Sequence, residues 1–331
     1  MSRPREDGIV IGTLEQGPRN SIADVGVTVG HVTVEWTGVT AVVPPSLPLP
    51  AGTAVLNGAG ELTGSLEIRE WGLLETPVYL TATHAVGRVY DGAVSVAMAR
   101  DPRVGVDDVV IPVVGECDDS WLSDARVAHV QPVDVADAVA EATADFEQGA
   151  VGAGAGMSCF DWKGGIGSSS RRAGDHVVGV LLLTNFGTSE QLRVDGVPVG
   201  RLLDEKPDEA PDPGGSCIAV VATDAPLSPP QLERLARRAG LGLARAGSVA
   251  HHGSGEIFVA FATSTERTFP DRELNPLFQA AVDATEEAVL CSLWAAVDTA
   301  GREGRLVRAL PRDKVLELYR GEAGRSHCTS S

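Results

Sequence analysis

Three observations predict an α+β layered fold. Strand and helix patterns follow one another irregularly, without the repeated βα units of a doubly wound sheet. Several strand candidates are apolar throughout, as strands buried in a core are. The 331 residues, 43% apolar and 22% charged, have a globular composition long enough to bury a sizeable core. The 38 glycines and 5% aromatics add tight turns and close backbone packing.

In chain order, "VGVTVGHVTV" (25–34) puts Val25, Val27 and Val29 on one face and predicts a half-buried strand. "GVTAVVPP" and "GTAVLNGAGE" are further strands, each closed by proline or glycine. From Pro77 a strand leads into a helix, "RVYDGAVSVAMAR"; 107–116 reads as a buried strand and 132–147 as a helix. Small residues over 149–172 predict a long loop, and "HVVGVLLLTNFG" (176–187) a continuous apolar strand with Asn185 at its polar end. A small hairpin over 193–200 turns on Asp195-Gly196. The acidic, proline-rich run 204–215 has the composition of a disordered linker. "SCIAVVAT" begins a core strand at Ser216, and the next helix is marked by Ser228 as cap, Pro229 in its first position and Gln231 completing a capping box. Leu232, Leu235, Ala236, Ala239 and Leu243 form its apolar stripe. A strand over 256–263, a long helix opened by Asn275-Pro276 and running through Trp294, and a last short helix, "RDKVLELYR", complete the chain. No internal repeat is present.

A formal charge of −18 argues against nucleic acid, which demands a basic footprint. No run approaches the ~18 apolar residues of a membrane span, and "MSRPREDGIV" lacks the apolar core of a secretion signal. Five scattered cysteines without a CxxC pair speak against a disulfide framework or zinc site and for a reducing, cytoplasmic setting.

The chemistry concentrates where the linker meets the strand, at Gly214-Gly215-Ser216. Cleavage before Ser216 would leave a free α-amine one residue from its own hydroxyl. Such an amine has a pKa of about 7.7–8.0 and can act as that hydroxyl's general base. The glycines leave the Gly215 carbonyl open to attack by Ser216 itself. The same triplet also suits a plain entry to a strand, and its composition alone leaves both readings open.

Seven stretches in order decide between them: "NSIADVGVTVGHVTV" (20–34), "LNGAGELTG" (56–64), "THAVG" (83–87), "GAGMSCFDWKGGIGSSSR" (154–171), "VGVLLLTNFG" (178–187), "GSCIAVVATDAPL" (215–227) and "GSGEIFVAFAT" (253–263). With them the chain resembles the L-aminopeptidase/D-esterase and β-peptidyl aminopeptidase family, whose precursors cleave themselves before a serine. The resemblance implies a four-layer α/β/β/α sandwich in one domain, self-cleaved into an α chain, 1–215, and a β chain, 216–331. It makes Ser216 the nucleophile of both self-cleavage at Gly215-Ser216 and peptide hydrolysis. It matches Ser254 and Glu256 to the pair that orients the nucleophile and its amine; a Ser-x-Glu on a strand sends both side chains to one face. Asn185 matches the oxyanion donor, and Glu116 the carboxylate beside the substrate's free amino group. The implied substrate is a peptide or amino-acid amide or ester with a free amino group, the implied assembly a homo-oligomer, and no metal or organic cofactor is called for.

One departure stands out. Relatives often carry a tyrosine soon after the glutamate, whereas this chain has "ECDDSWLSD", so Asp118, Asp119 and Trp121 replace a second oxyanion donor and point to a more acidic pocket. Two other readings share parts of the pattern. The ornithine acetyltransferase group self-cleaves but uses threonine, against which Ser216 argues; a non-catalytic descendant would keep the fold with the altered "ECDDSW" region. His251 and His252, adjacent on the chain, point oppositely if extended and suit no shared metal. Cys217 reads as core, and no Walker pattern follows "GAGAGM" to make Lys163 a nucleotide ligand.

Overall fold

The computed structural model describes residues 3–205, 207 and 215–328. In chain order its elements begin with strands β1 (Thr28–Val34), β2 (Thr37–Val43) and β3 (Leu49–Gly58), then helix α1 (Ser65–Trp71) and strands β4 (Leu73–Leu74) and β5 (Val78–Ala82). Helix α2 (Val86–Arg100), β6 (Val113–Cys117), α3 (Val133–Ala140), β7 (Ser158–Cys159), β8 (Trp162–Lys163), β9 (Ile166–Ala173) and β10 (His176–Asn185) follow. The remainder is α4 (Val199–Leu202), β11 (Ser216–Thr223), α5 (Pro229–Ala246), β12 (Gly255–Ala262), α6 (Leu274–Ala295), β13 (Thr299–Ala300), β14 (Leu306–Val307) and α7 (Arg312–Cys328).

Two sheets face each other. One has the order β1-β2-β5-β6, the other β4-β3-β12-β11-β10-β9. Between them lies an apolar layer in which Val29, Val42, Leu80 and Val113 meet Leu181, Leu183, Ile218, Val220 and Val259. Helices α2 and α3 cover the outer face of the four-stranded sheet through Val89, Ala93, Val135 and Ala138. Helices α5 and α6 cover the six-stranded one, where the stripe Leu232, Leu235, Ala236, Ala239, Leu243 is buried as its spacing predicted. The result is the expected α/β/β/α sandwich.

Local signals held where they were chemical. Ser228 and Gln231 form a reciprocal capping box. Asp195 and Gly196 both take positive φ, 47° and 81°, as a two-residue hairpin turn requires. The differences have physical causes. The first strand begins at Thr28 because Ser21 caps a short 3₁₀ turn over Ile22–Val25. Of the apolar run 107–116 only 113–116 pairs in the sheet, in a strand that continues to Cys117. Helix α3 stops at Ala140, and Thr143 bonds Val29 through both main-chain groups instead. Within the expected loop 149–172 begins β9, an edge strand of the six-stranded sheet whose buried middle is Ser168, Ser169, Ser170 and Arg171 rather than apolar side chains. Ser169 Oγ donates to the Ala284 carbonyl of α6 at 2.7 Å, and Arg171 is ion-paired with Glu287, both fully buried. Gly167 lets α6 approach: a Cβ there would lie 2.0 Å from the Ala288 carbonyl oxygen. The linker expected over 204–215 falls largely outside the described residues.

Candidate active site

The site assembles at one end of the central sheet, where β10 finishes and β11 and β12 begin. Register places Asn185, Ser216 and Gly255 side by side on three adjacent strands. Ser216 shares its face with Ile218, towards the opposing sheet, and is 6% exposed. Its hydroxyl accepts from the Gly255 N–H at 3.3 Å, and the same N–H donates to the Gly215 carbonyl at 3.1 Å. The carbonyl preceding Ser216 is thus already polarised by a backbone donor. Gly215 is required here: a Cβ on it would stand 2.0 Å from the Asn185 carbonyl oxygen and 2.8 Å from Phe186 Cα.

Asn185 is buried, and its amide orientation is dictated by its partners. Oδ1 accepts from the Ser158 N–H at 3.0 Å; Nδ2 donates to the Asp118 carbonyl at 2.8 Å. A primary amide has two N–H donors, and among the described residues only one of them is taken by these bonds.

Ser254 and Glu256 do share a face, and the serine hydroxyl donates to Glu256 Oε1. They flank Gly255 and therefore flank the Ser216 main chain. Parallel register pairs Glu256 with Cys217, which puts its side chain on the helix-side face of the sheet, opposite the Ser216 hydroxyl. Among the described residues neither Ser254 nor Glu256 hydrogen-bonds that hydroxyl. Glu256 is fully buried and its Oε2 has no hydrogen-bond partner among the described residues; burial raises its pKa against the bond from Ser254.

Glu116 reaches the same end from β6 in the other sheet. It accepts from the Glu61 N–H at 2.9 Å and from the Thr83 hydroxyl. Burial raises its pKa, opposed by those two bonds. Gly60 lies between it and the start of β12: a Cβ there would meet Glu116 Oε1 at 3.0 Å and Gly255 Cα at 3.5 Å.

In "ECDDSW" the two carboxylates have separate surroundings. The Asp118 carboxylate turns back to the Ser120 N–H and hydroxyl, both at 2.9 Å, while its carbonyl serves Asn185. Asp119 is buried, with burial pushing its pKa up to about 6. Two functional groups escaped sequence reasoning, the Gly255 N–H and the Asp118 carbonyl. Both are main-chain groups, and only register and loop path reveal them. His251 bonds the Gln191 side chain at 3.0 Å, and no metal-binding cluster occurs among the described residues. Cys217 faces the core as expected, its pKa raised well above the ordinary value by burial.

The sequence profile of peptidase family S58 matches residues 20–307. A β-peptidyl aminopeptidase of Sphingosinicella microcystinivorans is 37% identical, with 92% of this chain and 89% of that protein aligned. Among solved structures, the PH0078 protein of Pyrococcus horikoshii superposes with a TM-score of 0.93 at 40% identity, covering 97% of this chain and 99% of the other. An L-aminopeptidase D-Ala-esterase/amidase of Ochrobactrum anthropi, described as a serine aminopeptidase and a variant of the Ntn hydrolase fold, gives 0.90 at 33% identity, covering 98% and 99%.

Proposed function

The chain belongs to peptidase family S58 and is a self-processing serine aminopeptidase of the N-terminal-nucleophile kind, and from that premise we propose that Ser216 is its nucleophile and Gly215-Ser216 the bond it cuts in itself. The observation that carries this reading is the alignment of Asn185, Ser216 and Gly255, with the Gly255 N–H on the Gly215 carbonyl oxygen.

In self-cleavage the Ser216 hydroxyl attacks the Gly215 carbonyl carbon. Negative charge develops on the Gly215 oxygen, where the Gly255 N–H already donates. The C–N bond breaks as the departing nitrogen takes up a proton, leaving an ester that water hydrolyses. The products are the Gly215 carboxylate and the Ser216 α-amine, giving chains 1–215 and 216–331. The partnerless Glu256 Oε2, beside the Ser216 main chain, is the acceptor for the new ammonium, with Ser254 holding the carboxylate.

In turnover the neutral α-amine takes the proton of its own hydroxyl as that oxygen attacks the first carbonyl of the substrate. The second Nδ2–H of Asn185 meets the tetrahedral oxyanion. The leaving amine is reprotonated, and water then releases the acyl group. Glu116 pairs with the substrate ammonium, which restricts the enzyme to peptides, amides or esters with a free amino terminus. We place the mature protein in a cytoplasmic homo-oligomer; its buried free thiols are in line with a reducing setting.

Denaturing gels with intact mass test the assignment. Wild type should give two fragments meeting at 215/216, and Ser216→Ala one uncut, inactive chain. Cutting of Ser216→Ala at the same bond would refute it.

A further inference from the structure

Lys163 is a fully buried charged group that the reaction leaves unused. It lies in the hairpin of β7 and β8. Its Nζ donates to three carbonyls, Gly154 at 3.0 Å, Met157 at 2.6 Å and Gly164 at 2.9 Å. Three acceptors match the three donors of an ammonium. A buried charge persists only where its donors are satisfied and an opposite charge is near. Burial draws the ammonium's pKa down to about 7, and Asp119 is the leading group pulling the other way, with Cys159 behind it.

The carbonyls it gathers belong to the segment that holds Asn185. Met157 directly precedes Ser158, whose N–H fixes Asn185 Oδ1. Gly165, after Gly164, donates its N–H to the hydroxyl of Thr184 at 3.2 Å, and the Thr184 N–H returns to the Gly165 carbonyl at 2.9 Å. On the other side, Asp119 follows Asp118, whose carbonyl fixes Asn185 Nδ2. The Asp119 carbonyl closes that turn, accepting from the Leu122 and Ser123 N–H groups at 3.1 and 2.9 Å. The two segments touch: a Cβ on Gly156 would lie 2.8 Å from Asp119 Cβ. Lys163 thus stands behind the Ser158 clamp on the Asn185 amide, and Asp119 beside the Asp118 clamp.

We infer that Lys163 is the positioning residue that aims the Asn185 amide at the developing oxyanion. The inference rests on the oxyanion role of Asn185. Lys163 touches no substrate; it draws three carbonyls inward so that the Ser158 N–H and the Asp118 carbonyl stay at hydrogen-bond distance from one amide. Positioning of this kind acts on the transition state, so it enters kcat and leaves KM.

The test is a double-mutant cycle on full-length enzyme processed to completion, with an amino-acid p-nitroanilide as substrate. Lys163→Met should lower kcat about 10–100-fold with KM within about threefold, short of the 10²–10³-fold expected for losing the donor. In an Asn185→Ala background the same substitution should add less than about twofold, because the amide it aims is gone. A kcat near wild type, or an equal further loss without Asn185, overturns the inference. An Asn185→Ala enzyme with normal kcat instead removes the oxyanion reading beneath it. If Lys163→Met neither folds nor processes, Lys163→Gln, which keeps two N–H donors, carries the cycle. There too the kcat loss should vanish without Asn185, and wild-type kcat would overturn the inference.

Discussion

Replacing Gly215 by alanine perturbs the self-cleaving bond through a single methyl group. The new Cβ would stand 2.0 Å from the Asn185 carbonyl oxygen and 2.8 Å from Phe186 Cα, where ordinary contact begins at 3.4 Å. Both obstacles are main chain, so no side chain can swing aside. Relief from 2.0 to 3.4 Å needs about 1.4 Å of relative movement between the residue before β11 and the end of β10. Attack requires the reacting atoms within about 3–3.5 Å and aligned, and a misplacement of about 1 Å can cost on the order of 10²-fold. Gly215→Ala should therefore process about 100-fold more slowly than wild type, followed as the ratio of uncut to cut chain on denaturing gels. Once cut, residue 215 is the end of another chain and can move away. Material that has finished processing should turn over a p-nitroanilide within about threefold of the wild-type kcat, so the defect is confined to the first event. Processing at the wild-type rate would refute the close approach of Gly215 to Asn185 as the geometry of the reactive chain.

Asn185→Ala should reduce kcat by on the order of 10²–10³-fold while the protein still folds; steady-state kinetics on processed enzyme check it. Glu116 must be ionised to hold an ammonium, and burial raises its pKa above the ordinary carboxylate value of 4.5. Accordingly kcat/KM for a free-amine substrate should fall as pH drops through that raised value, and Glu116→Gln should lack this acid limb. N-acetylated forms of a good substrate should lose about 2–5 kcal/mol of transition-state binding with wild type; equal rates on both forms would show that the amino terminus is not read. Gly167→Ala should destabilise the fold by about 1–3 kcal/mol or more through overpacking against α6, measured by urea unfolding of the uncut Ser216→Ala chain.

What the sequence made legible was whatever has a local chemical cause. The Ser228–Gln231 box, the Asp195-Gly196 turn and the apolar runs of β10 and β11 are decided by residues within a few positions of one another. Strand β9 was hidden because periodicity reads apolar side chains, and Ser168, Ser169 and Ser170 are buried by long-range hydrogen bonds. The site divided along the same line. The glycines before Ser216 marked it as a candidate that resemblance then decided, whereas Asn185 and Glu116 were named through resemblance alone. The Gly255 N–H and Asp118 carbonyl belong to no side chain, so no residue type could have flagged them. Lys163 looked like part of a loop because its three acceptors are main-chain oxygens of other residues.

The strand order of the central sheet has a consequence for molecularity. Strands β11 and β12 lie after Ser216 in the chain, yet β12 pairs on its outer side with β3 and β11 with β10, both from before it. A cut at 215/216 leaves the second fragment's strands β12 and β11 inserted as a pair between β3 and β10 of the first, so separating the fragments means dismantling the sheet. Folding of the precursor is first order, with both segments held at a tether's effective concentration, of order millimolar for a short flexible linker. Reassembly of separated fragments is second order and must find the same insertion from dilute solution. The midpoint of thermal unfolding should accordingly become protein-concentration-dependent after processing and stay independent of concentration in the uncut chain. Melted mature enzyme should regain less activity on cooling than precursor melted the same way. The reaction that creates the nucleophile thereby also makes the fold a one-way product of its own precursor.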